Sequence, residues 1–292
     1  MQISLILFGL KLTLYFVRTM AKSALLKSSL AKKYWMALTG LFLCLFLVGH
    51  LAGNLQLLLP DAKLQFNQYA LFMTTNPAVK ILSYVTYISI LFHAIDGIVL
   101  TIQNKRARPV AYAKENAAAN SSFASRNMAV LGTLVLVFIV THMTNFWAKM
   151  HFSEMPLQTI TISDENSGIS QELYITTNGS YQPVQGTEIR NKTEIYNPAY
   201  NVKLGDAYKD LYQITVDFFK DEKLGLWFTL FYVLSMGVLA FHLWHGFQSA
   251  FQSLGLRSPR YYDLIVTTGR AFSILVPLLF AIVPIYIRFF LK

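Results

Sequence analysis

The chain has 292 residues, of which 54% are hydrophobic and 14% charged, against about 25% charged in ordinary soluble domains; with a mean hydropathy of +0.42, this composition excludes a typical water-soluble protein. The formal charge of +10 does not point to nucleic acid, because Lys and Arg flank apolar runs instead of forming one basic stripe. A single cysteine, Cys44, inside an apolar run, excludes a disulfide framework, a CxxCH attachment site and a thiolate set for an iron-sulfur cluster.

Residues 1–33 read as an N-terminal extension and cytoplasmic segment. Their start, MQISLILFGLKLTLYFVRTM, is a short apolar run broken by Lys11 and Arg18 and lacks a small-residue cleavage site. It reads as an upstream extension, with Met20 as an alternative start; an interfacial helix or weak sixth span is the other option. A bilayer core about 30 Å thick needs about 20 mostly apolar residues per helix. Five stretches qualify, at roughly 34–58, 79–103, 127–149, 225–252 and 268–290. The expected fold is an all-α membrane protein of five transmembrane helices, three in 34–149 and two in 225–292, with a long extracytoplasmic loop over 150–224. In that loop QTITISDENSGISQELYITTNG predicts two short β-rich runs around a turn, compatible with a hairpin, and 205–220 an amphipathic segment. The sequons at Asn178 and Asn191 are read as chance.

Charge orients the spans. Lys22, Lys27, Lys32 and Lys33 precede the first; Lys105, Arg106, Arg108, Lys114 and Arg126 lie between the second and third; Arg257, Arg260 and Arg270 lie between the fourth and fifth. These segments are expected in the cytoplasm, with the N-terminus cytoplasmic and the C-terminus extracytoplasmic. The 150–224 loop holds eleven of the fifteen acidic residues and falls on the opposite side.

Of the six histidines, His50, His93, His142, His242 and His245 lie within predicted spans, where a polar ring is costly without a partner or ligand. A lone intramembrane histidine is more often an interhelical hydrogen-bond donor; one on each of four helices is harder to explain structurally. Neutral imidazole is a common axial ligand of haem iron, and two make a six-coordinate electron-transfer haem. Ligands of one haem must come from different helices at similar depth, and a helix rises about 1.5 Å per residue. His50 comes sixteen residues after Tyr34 and His142 fifteen after Asn127, both towards the outer half. His93 comes fourteen residues after Val79 and His242 seventeen after Gly225, on spans of opposite direction, at mid-depth or towards the cytoplasm. Two stacked bis-histidine haems b are therefore expected, His50 with His142 and His93 with His242. His245 lies on nearly the same face as His242 and is an alternative ligand or a support for the inner haem. His151 reads as interfacial. Small residues beside the ligands, as in Gly49-His50-Leu51-Ala52-Gly53, either make room for a macrocycle or serve ordinary helix packing. Asp96, one turn from His93, could orient a ligand, accept a bond from His245, relay protons or simply bond to a neighbouring helix.

The segments TGLFLCLFLVGHLAGN (39–54), LFHAIDGI (91–98), VFIVTHMTNFW (137–147) and FHLWHGFQSAFQSLG (241–255) together resemble the dihaem cytochrome b subunit of type B succinate dehydrogenases and fumarate reductases, a likeness covering about 20–292. The resemblance implies haem iron held by His50, His93, His142 and His242, with His245 supporting. It implies a flavoprotein subunit that handles succinate and fumarate, an iron-sulfur subunit docked on the cytoplasmic face, and a quinone, menaquinone by preference, as the partner in electron transport. Some fumarate reductases of this kind carry a glutamate two residues before the fourth ligand, linked to proton movement; here Ala240 stands there, so that pathway is not implied.

Quinone candidates lie at the outer ends of the first two spans: Asn54, Gln56, Asp61, Gln65, Asn67, Gln68 and Tyr69. Most would serve a solvated loop equally well. Lys33, Arg126 and Arg257 could meet haem propionates, or simply snorkel at the cytoplasmic boundary. Competing readings are the cytochrome b subunit of another dehydrogenase, a proton-coupled transporter using the histidines and Asp96, and a haem-free anchor. A transporter would favour broken helices or repeated halves, and neither is evident.

Overall fold

The computed structural model describes residues 28–110, 116–163 and 170–291. The proposed N-terminal interfacial helix, Lys22, Lys27, Lys114 and the turn with Asp164 and Glu165 lie outside them. Among the described residues five helices are long and apolar enough to cross a membrane, so the chain is a multi-pass membrane protein. Leu45, Ile81, Trp227 and Leu234 on these helices are each at least 66% exposed. Apolar side chains facing outward are what a lipid environment requires.

Helix α1 (Ser29–Leu55) tightens into a 3₁₀ turn, Gln56–Leu58, and stops where Leu59 turns extended ahead of Pro60, a conformation that proline imposes on its predecessor. Helix α2 (Ala62–Thr75) follows. Helix α3 (Pro77–Arg106) opens with proline in its first turn, and the Asn76 side chain accepts the N–H groups of Ala78 and Val79 at 2.9 and 3.3 Å. Helix α4 (Met128–Met143) widens into a π turn over Thr144–Ala148 and ends in one more α turn, Lys149–Phe152. After the β segment come α5 (Leu211–Lys220), α6 (Gly225–Ser253) and α7 (Tyr262–Phe289). The last helix begins earlier than the expected 268, and it carries Pro277 and Pro284 internally.

Residues 159–206 form two three-stranded antiparallel sheets. One is β1 (Thr159–Ser163), β2 (Ser170–Ile175) and β3 (Tyr181–Pro183); the other is β4 (Glu188–Arg190), β5 (Glu194–Asn197) and β6 (Val202–Asp206). The two β-rich runs expected from sequence pair with Thr159 opposite Tyr174 and Ser163 opposite Ser170. Between β2 and β3, the Asn178 side chain accepts the Ser180 N–H at 3.1 Å, with Gly179 at φ +85°, so the first sequon builds a turn.

Contacts divide the chain into two compact units. The first comprises Met1–Phe46, Val85–Thr133 and Phe241–Ser273; the second comprises Leu47–Tyr84, Leu134–Ala240 and Ile274–Lys292. In the first, Phe247 packs against Phe251 and Phe272 with ring centroids 5.2 and 5.7 Å away, and Gly269 leaves the space that the Phe247 ring fills. In the second, Leu57, Val216, Phe218, Phe219, Tyr232, Val283 and Ile287 form a buried cluster. The amphipathic segment expected over 205–220 is α5, and it supplies Val216, Phe218 and Phe219 to that cluster. Phe218 stacks on Phe228 of α6 at 4.2 Å. Gly225 starts α6 where a Cβ would stand 2.4 Å from the Phe219 carbonyl, so only glycine permits the close approach of the chain there.

Helix α2 occupies the segment that, from sequence, would serve as a solvated loop equally well. It is held instead by one buried polar network. The Asn67 amide, 1% exposed, donates to Gln158 Oε1 at 3.1 Å and Asp210 Oδ1 at 3.0 Å, while its oxygen accepts the Tyr212 N–H at 3.0 Å. Asp210 also caps α5 through the Gln213 N–H at 3.0 Å and meets Lys63 of α2 at 2.7 Å. Every atom of that amide is thereby satisfied across three separate chain segments, as buried polar groups must be.

Two outcomes follow. Asn67→Leu strands the partners of the amide at a cost of about 2 kcal/mol, so amide exchange in α2 should quicken by about 30-fold; unchanged exchange would show that the network does not anchor α2. At the start of α6, the Asp221 carboxylate accepts the N–H groups of Leu224 and Lys223 at 2.7 and 2.9 Å, which hold its pKa below the usual carboxylate value. A carboxyl depressed in the folded state stabilises above its unfolded pKa, and that contribution is lost as pH falls through the lower folded value. Exchange at Leu224, corrected for its intrinsic rate, should therefore accelerate below about pH 4. Asp221→Asn, which keeps an acceptor but cannot titrate, should flatten the profile.

Candidate functional site

In the first unit, His93 of α3 and His242 of α6 face each other with ring centroids 6.2 Å apart and planes at 68°. Both rings lie against glycine: a Cβ on Gly40 of α1 would stand 3.1 Å from His93 Cε1, and one on Gly132 of α4 3.6 Å from His242 Cε1. Four helices thus contribute, two with histidines and two with the gaps that admit them. Thr39 Oγ1 donates to the Trp35 carbonyl at 2.7 Å and lies 3.3 Å from His93 Nδ1. With its proton so used, the hydroxyl can accept from Nδ1–H, which would leave Nε2 as the ring atom with a lone pair; the Met36 backbone is a second hydrogen-bond partner of this ring. His242 Nδ1 is buried and is the one such side-chain polar atom among the described residues with no hydrogen-bond partner.

In the second unit, His50 of α1 and His142 of α4 have ring centroids 5.8 Å apart and planes at 80°. The surroundings are aromatic. Phe280 of α7 lies 5.6 Å from His50, and Phe138, Phe146 and Tyr232 lie 5.6, 5.3 and 5.9 Å from His142. The Tyr232 hydroxyl is 3.5 Å from His142 Nδ1 and accepts from Asn145 Nδ2 at 3.5 Å. With Nδ1 occupied, Nε2 of His142 is the candidate ligand atom.

Among the described residues no three His, Cys, Asp or Glu side chains gather into one metal-ligating group; these histidines come in twos. Two imidazoles on opposite sides of one iron, each with its nitrogen about 2 Å from the metal, place their ring centres about 6 Å apart. Both pairs have that separation. The residues fit two bis-histidine haems. His245 is half-buried, and it is the ring of His242 that meets His93.

The other sequence candidates are distributed as follows. Lys33, Arg126 and Arg257 are exposed and belong to the unit that holds the His93–His242 pair. Arg257 stacks on Tyr262 at 4.7 Å and donates to Gln252 at 3.1 Å; Arg126 donates to the Ser121 carbonyl. Asp96 has Lys32 within electrostatic reach. In the second unit, Asn54 donates to the His50 carbonyl at 2.8 Å, Asp61 takes a left-handed φ of 51°, and Gln65 and Gln68 are exposed. Gln56 is half-buried in its 3₁₀ turn. Tyr69 packs its ring on Gly53, where a Cβ would stand 2.6 Å away, and burial raises its pKa. Asn67 is committed to the α2 network. His151 is exposed, with its ring 4.5 Å from Trp147.

Thr39, Gly40, Gly132 and Tyr232 were not singled out from sequence. Gly40 and Gly132 each stand ten residues before the histidine of their own helix, His50 and His142, and that shared spacing was the available signal. No protein-family model, curated protein or solved structure matches this chain.

Thr39→Val keeps the shape of the side chain and removes one of the two polar partners of the His93 ring, leaving the Met36 backbone. Partners of this kind are worth about 10- to 100-fold in metal affinity. If the His93–His242 pair holds a haem, its retention during a detergent wash should fall by about tenfold in the variant, and equal retention in both proteins would mean that Thr39 does not orient a ligand.

Proposed function

We propose that the chain is a membrane-anchored cytochrome b that carries electrons through two bis-histidine haems b. The observation that supports this most is that four histidines, one on each of four membrane-spanning helices, meet as two separate pairs at ring separations of 6.2 and 5.8 Å. Packing alone has no need for this, since a polar ring in a span costs several kcal/mol if its nitrogens go unpartnered.

His93 and His242 would hold one haem, and His50 and His142 the other; the bound haem supplies reversible one-electron chemistry. The chain's own side chains set the conditions. Thr39 fixes the tautomer of His93, so that Nε2 can ligate without first losing a proton. Gly40 and Gly132 let the His93 and His242 rings sit close to the neighbouring helix backbones. Phe138, Phe146 and Phe280 exclude water from the His50–His142 pair, which disfavours added charge at that site and so influences its potential.

The segments quoted above support a narrower reading, the cytochrome b subunit of a succinate:quinone or fumarate:quinone oxidoreductase. In that reading electrons pass between an iron-sulfur subunit and a quinone, menaquinone by preference, and a flavoprotein subunit performs the succinate and fumarate chemistry. The basic segments and the acid-rich 150–224 segment support a cytoplasmic-membrane orientation with the N-terminus and the partner subunits on the cytoplasmic side.

The deciding experiment is a reduced-minus-oxidised spectrum of the purified protein with its haem-to-chain ratio. Two b haems per chain are expected, His50→Ala and His93→Ala each losing a different one and Gly40→Leu losing the same one as His93→Ala. A haem-free wild-type protein would remove the electron-transfer reading and favour a transporter or passive anchor.

A further inference from the structure

We propose that the groove between α4 and α6 beside His142 binds the quinone head group; this rests on the function proposed above. The groove is open to the surroundings, offers about 360 Å³ and is lined by Val140, Thr141, Thr144, Asn145, Phe228 and Phe231, all within the second unit. A cavity in this size range with apolar walls and a few convergent polar groups is the usual form of a small-molecule site.

Its chemistry suits a flat aromatic ring carrying two opposed oxygens. Phe228 and Phe231 line the groove with aromatic rings, and Val140 adds to the apolar wall. Asn145 is half-buried and its amide gives one N–H to the Tyr232 hydroxyl, which anchors the side chain and leaves the second N–H to donate to a quinone carbonyl. Thr144 donates its proton to the Val140 carbonyl at 2.8 Å, so its oxygen can accept from the hydroxyl of the reduced quinol. A donor for the oxidised form and an acceptor for the reduced form thus stand on consecutive residues. Both belong to the π turn Thr144–Ala148, an irregularity that appears often at functional sites.

The groove also opens outward. Val140 is 57% exposed and Phe231 38%, on helices long and apolar enough to lie in a bilayer, so a lipid-dissolved ligand reaches it without crossing water. The Tyr232 hydroxyl touches both Asn145 and His142, which puts the ligand within two side chains of a haem-ligating ring. By contrast, the region first considered, around Asn54 and Tyr69, has its space filled by the Tyr69 ring on Gly53.

The test is photolabelling of the intact complex in membranes with an azido-quinone, the site being mapped by mass spectrometry, in parallel with the haem spectrum. Labels are expected on the peptides containing Val140–Asn145 and Phe228–Phe231. Val140→Trp, which fills the groove from an exposed position, and Asn145→Leu should each lower that labelling at least tenfold while both haem bands persist. Labelling centred on Asn54, Gln65, Gln68 or Tyr69, or labelling of the groove unchanged in both variants, would overturn the proposal while leaving the cytochrome reading intact. Absence of haem from the wild-type complex would overturn both.

Discussion

An imidazole placed in hydrocarbon keeps its hydrogen-bonding demand but loses the water that would meet it. This chain carries six histidines on its membrane-spanning helices, His151 at the very end of one, and four of the others face one another in pairs. Each of those four faces a ring from another helix, and each pair is enclosed differently. His93 and His242 are bounded by glycine backbone and a threonine hydroxyl; His50 and His142 are bounded by phenylalanine and tyrosine. The first setting is tight, with small residues against the rings; the second is mainly aromatic, with one tyrosine hydroxyl beside His142. Such differences in burial and hydrogen bonding are among the means by which a protein gives two chemically identical haems different potentials.

The spans were legible because hydrocarbon thickness imposes a length and a composition that few other constraints produce. The histidine pairs were legible for a related reason: helical rise converts residue number into depth, and depth decides which rings can meet. What was not legible is what approaches from other helices. Thr39 reads as an ordinary small polar residue of α1 until His93 is placed beside it. Tyr232 reads as one aromatic among many until its hydroxyl is found between His142 and Asn145. Gly40 draws no notice on its own, although its spacing from His50 matches that of Gly132 from His142.

Helix α2 shows the same limit in a segment outside the spans. Ala62–Thr75 is short and mixed in character, and its helical state depends on Asn67, Lys63 and Phe66 finding Asp210, Gln158 and Tyr212 far along the chain. Local propensity carries little of that information. The β segment was partly readable, since β1 and β2 alternate and are rich in Thr and Ile; strands β3 to β6 are short and gain definition from their pairing, including the bridges Leu157–Lys209 and Thr176–Ala207.

The sequence separations within the Asn67 network, 91, 143 and 145 residues, also set a timetable for assembly. At about 5–20 residues per second of synthesis, the partners of this amide emerge up to about half a minute after it does. During that interval α2 has no buried place to occupy, and its amide must stay hydrated. The region around α2 therefore closes only after Asp210 and Tyr212 have been made, so a nascent chain stalled before α5 would hold completed spans while the Asn67 amide still lacked its partners.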